Sequence, residues 1–124
     1  MTTEEYEKQY EELKNLSNRV TLVPYPETPQ GWYPLIRALI KTLDTILDID
    51  SSKIKVTQIK EKFGGLRFYY HIEDTASESR YRVDGAVSMA EAMSRITCGV
   101  CGDRKNGASR VCDRCDAVQS VHGS

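Results

Sequence analysis

Residues 97–115 read Thr-Cys-Gly-Val-Cys-Gly-Asp-Arg-Lys-Asn-Gly-Ala-Ser-Arg-Val-Cys-Asp-Arg-Cys, and they hold all four cysteines of a 124-residue chain. The cysteines fall in pairs, Cys98 with Cys101 and Cys112 with Cys115, each spaced by two residues. Such a spacing lets a tight turn aim both sulfurs at one point, and two facing turns make a closed tetrahedron of thiolates. The pattern therefore predicts a structural zinc site with ligands Cys98, Cys101, Cys112 and Cys115, and not a pair of disulfides, since nothing here reads as a secretory leader. Gly102 follows the first pair, where the turn needs a residue tolerant of positive φ. Asn106-Gly107 signals a short hairpin in the gap, and Asp116-Ala117-Val118-Gln119 can open a helix after Cys115. A knuckle followed by a helix would be a treble-clef-like finger, and two knuckles without one a zinc ribbon; both remain open. His122 is the nearest substitute ligand, but it lies well past Cys115 on the tail.

Working back toward the N-terminus, a helix from about Tyr81 or Val83 to Ile96 leads straight into Cys98. Ala86, Met89, Ala90, Met93 and Ile96 form its expected apolar stripe. Before it, residues 53–60 and 66–72 alternate as strands. Leu66, Phe68, Tyr70 and Ile72 share one face, and Arg67, Tyr69 and His71 the other. Phe63-Gly64-Gly65 between them predicts an antiparallel hairpin. Earlier still, Trp32, Leu35, Ile36, Leu39, Ile40, Leu43, Ile46 and Leu47 follow helical spacing over four turns, with Pro34 in the first turn, so this is the core helix. Val20–Val23 suits a short strand, and Pro24, Pro26 and Pro29 rule out regular structure in the connector to the core helix. Residues 3–18 read as a surface helix capped by Thr2 with Glu5.

These elements predict an α+β fold: an antiparallel hairpin or small sheet, joined by the Val20–Val23 strand, packed against helices, with a C-terminal zinc ribbon or treble-clef-like finger. Residues 1–97 form the helix-and-hairpin domain, and residues 98–124 a four-cysteine finger packed as its extension. At this length the chain buries about two thirds of its unfolded surface, enough for one core. No apolar run approaches membrane-spanning length, and reduced cysteines without an export signal lead us to expect a protein of the bacterial cytoplasm.

The string Lys60-Glu61-Lys62-Phe63-Gly64-Gly65-Leu66-Arg67-Phe68-Tyr69 resembles a hairpin found in small proteins of bacteriophages and prophages. There a Trp-led helix precedes the hairpin, and a helix then runs into a CxxCG knuckle with a second CxxC near the C-terminus. Trp32, Cys98, Cys101, Gly102, Cys112 and Cys115 stand where that arrangement has them. The resemblance implies a phage-type accessory protein working inside a bacterial cell, and it carries over no catalytic residue.

Net charge is −1, so nothing pulls the whole chain toward nucleic acid. Residues 51–72, however, carry a net +4 against −4 on residues 1–50. Lys60, Lys62, Arg67, Tyr69 and His71 on the hairpin, with Arg114 at the zinc end, are therefore the candidate ligand- or partner-binding residues. A solvated sheet face explains the hairpin set equally well. Phosphate-cradling glycine loops and hydrolase or metalloprotease motifs are absent from the sequence. The reading is a non-enzymatic, zinc-stabilised module that binds a host protein, in host takeover or anti-defence. The alternatives are a nucleic-acid binder using the basic hairpin and a nucleotide-binding sponge or enzyme.

Overall fold

The computed structural model describes residues 2–23, 25–73, 77–106 and 109–122. In chain order the elements are α1 (Thr3–Lys14), β1 (Val20–Leu22), a 3-10 turn (Gln30–Trp32), α2 (Tyr33–Asp48), β2 (Ile54–Lys62), β3 (Gly65–Ile72), α3 (Ser77–Ser94) and α4 (Asp113–His122). Together they make an α+β fold in which helices cover one face of a small mixed sheet. Among the described residues no helix is long and apolar enough to cross a membrane.

The sheet order is β1-β2-β3. β2 and β3 pair antiparallel, as their alternation requires, and the turn between them is shorter than Phe63-Gly64-Gly65. Lys62 pairs with Gly65, leaving only Phe63 and Gly64 in the turn, both at positive φ (55° and 79°). That is the mirror-image turn whose twist matches two right-twisted strands. β1 joins on the other side, and it runs parallel to β2, with Val20 opposite Ile54. The parallel sense follows from the connection, because the chain leaves β1 and crosses through all of α2 before it enters β2.

Alternation along β2 breaks at Thr57. Ile54 and Val56 are buried, and so is Ile59, which strict alternation would turn outward. A bulge between Val56 and Gln58 absorbs the extra residue and returns Ile59 to the core. On β3, Leu66 and Phe68 are buried and Tyr70 and Ile72 half-buried, while Tyr69 and His71 face solvent.

α2 is the core helix. Ile36, Leu39, Ile40, Leu43 and Leu47 are buried along it, each contributing about 1.5–3 kcal/mol of apolar transfer before chain entropy is charged. α1 carries the expected cap, with the Glu5 N–H donating to Thr2 Oγ1 at 3.2 Å. It ends at Lys14, short of residue 18. Asn15 turns its side-chain amide back onto the Glu11 carbonyl, and the Ser17 hydroxyl accepts from the N–H groups of Arg19 and Val20. These polar side chains offer the backbone partners other than the next helical turn.

α3 starts earlier than periodicity suggested, and its buried face overlaps the expected stripe only at Ala90, which is buried, and Ala86, which packs on the core. Ser79, Val83, Val87, Ala90 and Ser94 point inward, whereas Met89, Met93 and Ile96 are exposed. Two buried serines explain the displacement. Ser79 donates to the Asp50 carboxylate at 2.6 Å, and Ser94 Oγ accepts from the Leu66 N–H at 2.8 Å. Small polar residues let α3 sit close to α2 and β3, and they hide the buried face from a count of apolar positions. Val87→Ala should therefore destabilise the protein by about 1.5–3 kcal/mol, and Met89→Ala by no more than about 0.5 kcal/mol. Urea titration of both variants checks the assignment.

Candidate metal centre

The four cysteine sulfurs lie within 4.8 Å of one another, and all four thiols are free. Cys98, Cys112 and Cys115 are buried and Cys101 is exposed. The Cys101 and Cys112 sulfurs stand 3.7 Å apart, far beyond a disulfide and close to the edge of about 3.8 Å that a tetrahedron with zinc–sulfur bonds of ~2.3 Å would have. The cluster is thus a site able to coordinate a metal ion with four soft ligands.

Its geometry is built by local backbone. Cys98 to Gly102 forms a tight knuckle. The Gly102 N–H donates to the Cys98 carbonyl at 3.0 Å, and Gly102 adopts φ +83°, as its place after the first pair predicted. Backbone N–H groups point at the sulfurs, among them Val100 at Cys98 and Asp103 at Cys101, each at 3.4 Å. Such donors stabilise thiolate. Burial works against ionising Cys98, but the backbone donors of Cys101, Cys112 and Val100 outweigh it and bring its pKa down to about 6. Burial, then the neighbouring thiols, push Cys115 up to about 12. Metal binding to such a cluster must displace the remaining protons.

The chain returns from the knuckle along its own approach. Thr97 bridges Arg104 in antiparallel sense, and the Lys105 N–H donates to the Ile96 carbonyl at 2.8 Å. This short hairpin encloses the knuckle itself; the Asn106-Gly107 turn expected in the gap falls, from Gly107 on, outside the described residues. Cys112 immediately precedes α4, and Cys115 sits in its first turn. The second pair therefore rides on a helix start, and the arrangement is a knuckle-and-helix finger. The side chain of His122 also lies outside the described residues.

What sequence reasoning missed is how this centre meets the body. The Gly31 N–H donates to the Gly99 carbonyl at 2.8 Å, and a Cβ on Gly31 would stand 2.1 Å from the Cys98 carbonyl oxygen. Beside it, Trp32 Nε1 donates to the Thr97 carbonyl at 3.0 Å, and the indole is buried. Gly31 looks in sequence like the end of a proline-rich connector, and only its backbone chemistry betrays a close approach. Lys105 was also missed. It is buried, and its ammonium donates to the Ser109 carbonyl, tying the gap together.

The other predicted site residues separate into two places. Lys60 pairs with Arg67 across the hairpin, and its ammonium lies 5.7 Å from the centroid of the Tyr69 ring. Lys62, Tyr69 and His71 share that outer face. Arg114 is not with them. It lies on α4, bonds Asp103 at 2.9 Å, and has its pKa raised by Cys101 first and Asp103 after it. Arg114 is thus placed beside the exposed sulfur of Cys101 and the Asp103 carboxylate.

No protein family, no curated protein and no solved structure matches the chain.

Treating metal-loaded protein with a chelator, or making Cys101→Ser, should expose Trp32 and red-shift its emission. The same treatments should open the peptide bonds around Cys98–Asn106 to protease. Unchanged emission and protection would show that the corner is held without the sulfurs.

Proposed function

We propose that the chain is a non-enzymatic, zinc-stabilised module that binds another protein. Four thiolates favour zinc, a soft-ligand tetrahedral ion, and a site closed by four protein ligands leaves no open position for turnover. The resemblance of the hairpin to phage-encoded proteins supports a host protein as partner, met inside a bacterial cell, with host takeover or evasion of defence as the setting.

The observation that carries the reading is two sets of apolar side chains left exposed, one at the hairpin tip and one on the flank of α3 turned away from β3. Phe63 is 82% exposed at the hairpin tip, Met89 is 66% exposed on α3, and Met93, Ile96 and Val100 are exposed nearby in sequence or fold. Hairpin, α3 C-terminus and knuckle are tied to one another: the Leu66 N–H donates to Ser94 Oγ, Glu61 pairs with Arg110, and the Lys105 N–H donates to the Ile96 carbonyl. Phe63 also sits at φ 55°, a conformation that costs a residue other than glycine or asparagine of the order of 1–2 kcal/mol. An apolar ring held out to solvent at that cost has no role in the chain's own core, and a protein interface uses such anchors.

Capture of binding partners from bacterial lysate on the immobilised protein tests this. Phe63→Ser with Met93→Glu should reduce recovery of any stoichiometric partner at least about tenfold, while thermal stability stays near wild type. Recovery of no stoichiometric protein, or recovery that the double variant does not change, would count against the reading.

A second reading rests on the outer sheet face, where Lys55, Lys60, Lys62, Arg67 and His71 surround Tyr69. Cations neutralise phosphates and a ring stacks on bases. It expects single-stranded nucleic acid to bind with strong salt dependence and to be lost in Lys62→Glu with Arg67→Glu. A flat titration at low salt removes it.

A further inference from the structure

α3 presents a second, outward face. Tyr81 is 80% exposed, and Met89, Met93 and Ile96 are exposed on the flank turned away from β3. Gly85, Ser88 and Ala92 stand between them, and all three are exposed. From Gly85 to Ile96 this face carries no charge, over a length of about 18 Å at the helical rise. The charges at its start, Glu78 and Arg82, pair with each other at 3.9 Å.

Gly85 is not explained by the chain's own packing. It stands in mid-helix, where only proline is less favourable. A Cβ on Gly31 would strike the knuckle, but one on Gly85 would meet nothing within 4 Å. A small residue there makes room for something that approaches from outside, and helix axes pack closer where the residues at the contact are small.

The charges on the border of this face select the occupant. Asp84 and Arg95 lie along one edge of it, eleven residues apart, a separation of three helical turns. The Arg95 N–H donates to the Ala92 carbonyl at 3.2 Å, so the helical course continues through Arg95. Both side chains are exposed, and among the described residues neither is in an ion pair. Glu91, also on the β3 side, is turned inward to the Phe68 N–H at 3.1 Å. Two antiparallel helices related by a two-fold axis set each edge against itself. With that axis midway between Asp84 and Arg95, the acid of each copy meets the base of the other, twice. Met89 then meets its counterpart at the axis, and the opposite edge sets Met93 against Ala86. Edge charges fix partner and orientation in paired helices in the same manner.

We propose that this face of α3 is the contact between two copies of the chain, joined as an antiparallel, two-fold pair. The proposal divides the two exposed sets behind the protein-binding reading. It gives the α3 flank to a second copy and leaves the hairpin tip at Phe63 to another protein. A contact of this length belongs with weak, transient interfaces, so the pair should dissociate between about 10 µM and about 1 mM.

Sedimentation equilibrium of the full-length, metal-loaded protein across that range tests it. The mass should rise from one chain, 14.0 kDa, toward two. Ala92→Glu, which puts a charge at the centre of the face, should weaken association at least about tenfold. Asp84→Arg and Arg95→Asp should each weaken it about tenfold, and the two together should restore it to within about threefold of the parent, because the swapped pairs form again. The guanidinium of Arg95 rests against Gly65, so if Arg95→Asp melts early, Ala92→Glu and Asp84→Arg decide the matter, both at exposed positions. A single-chain mass throughout, association unchanged by either of those two variants, or a well-folded double variant that does not recover, overturns the proposal. Phe63→Ser should leave the pair intact, so capture of a partner at the tip and pairing through α3 fail separately.

Discussion

Gly31 lies against the metal knuckle with no room for a side chain, and the rest of the architecture depends on that contact. Its N–H meets the Gly99 carbonyl, and its α-carbon faces the Cys98 carbonyl. A few residues away the same stretch sets the first turn of α2 and the bond from Trp32 to Thr97. The core helix and the cysteine cluster are therefore joined through backbone, where neither can shift without the other. Side-chain packing alone would leave slack, because rotamers hop while a backbone pair at 2.8 Å does not.

That junction gives the cysteine centre a role beyond its own loop. The connector from β1 runs beside β2, with one backbone bond at Val23 and two at Glu27, and then enters the knuckle contact. Its prolines forbid continuous strand pairing, so its path is held at its two ends and at the Glu27 bridge between them. A metal gathered by the four sulfurs would hold one of those ends. The hairpin tip borders this held corner, where Glu61 and Gly64 gather with Pro29, Trp32 and Arg110.

Much of the fold is legible in residues 20–72, because the signals there are redundant. α2 has an apolar stripe, a first-turn proline and charged residues on the opposite side, and all agree. β3 alternates without a fault. Where signals conflict, reading fails in a way physics explains. α3 carries two stripes of comparable apolarity, and the one that packs contains Ser79 and Ser94, whose hydroxyls meet partners far away in sequence, the Asp50 carboxylate and the Leu66 N–H. β2 carries one residue too many for its alternation, and the bulge that resolves it becomes visible once β3 supplies a register.

The spacing of the cysteines by itself determined that four sulfurs would meet, because two residues between thiols form a turn whatever surrounds them. It also determined the capped first helix, the core helix and the hairpin, each of which rests on contacts within a few residues. Tertiary structure alone decided that β1 would pair parallel, which face of α3 would be buried, that Arg114 would leave the hairpin for the exposed sulfur, and that Gly31 would be the pivot. Those outcomes depend on groups brought together from distant parts of the chain, and no local pattern encodes the close approach of two backbones.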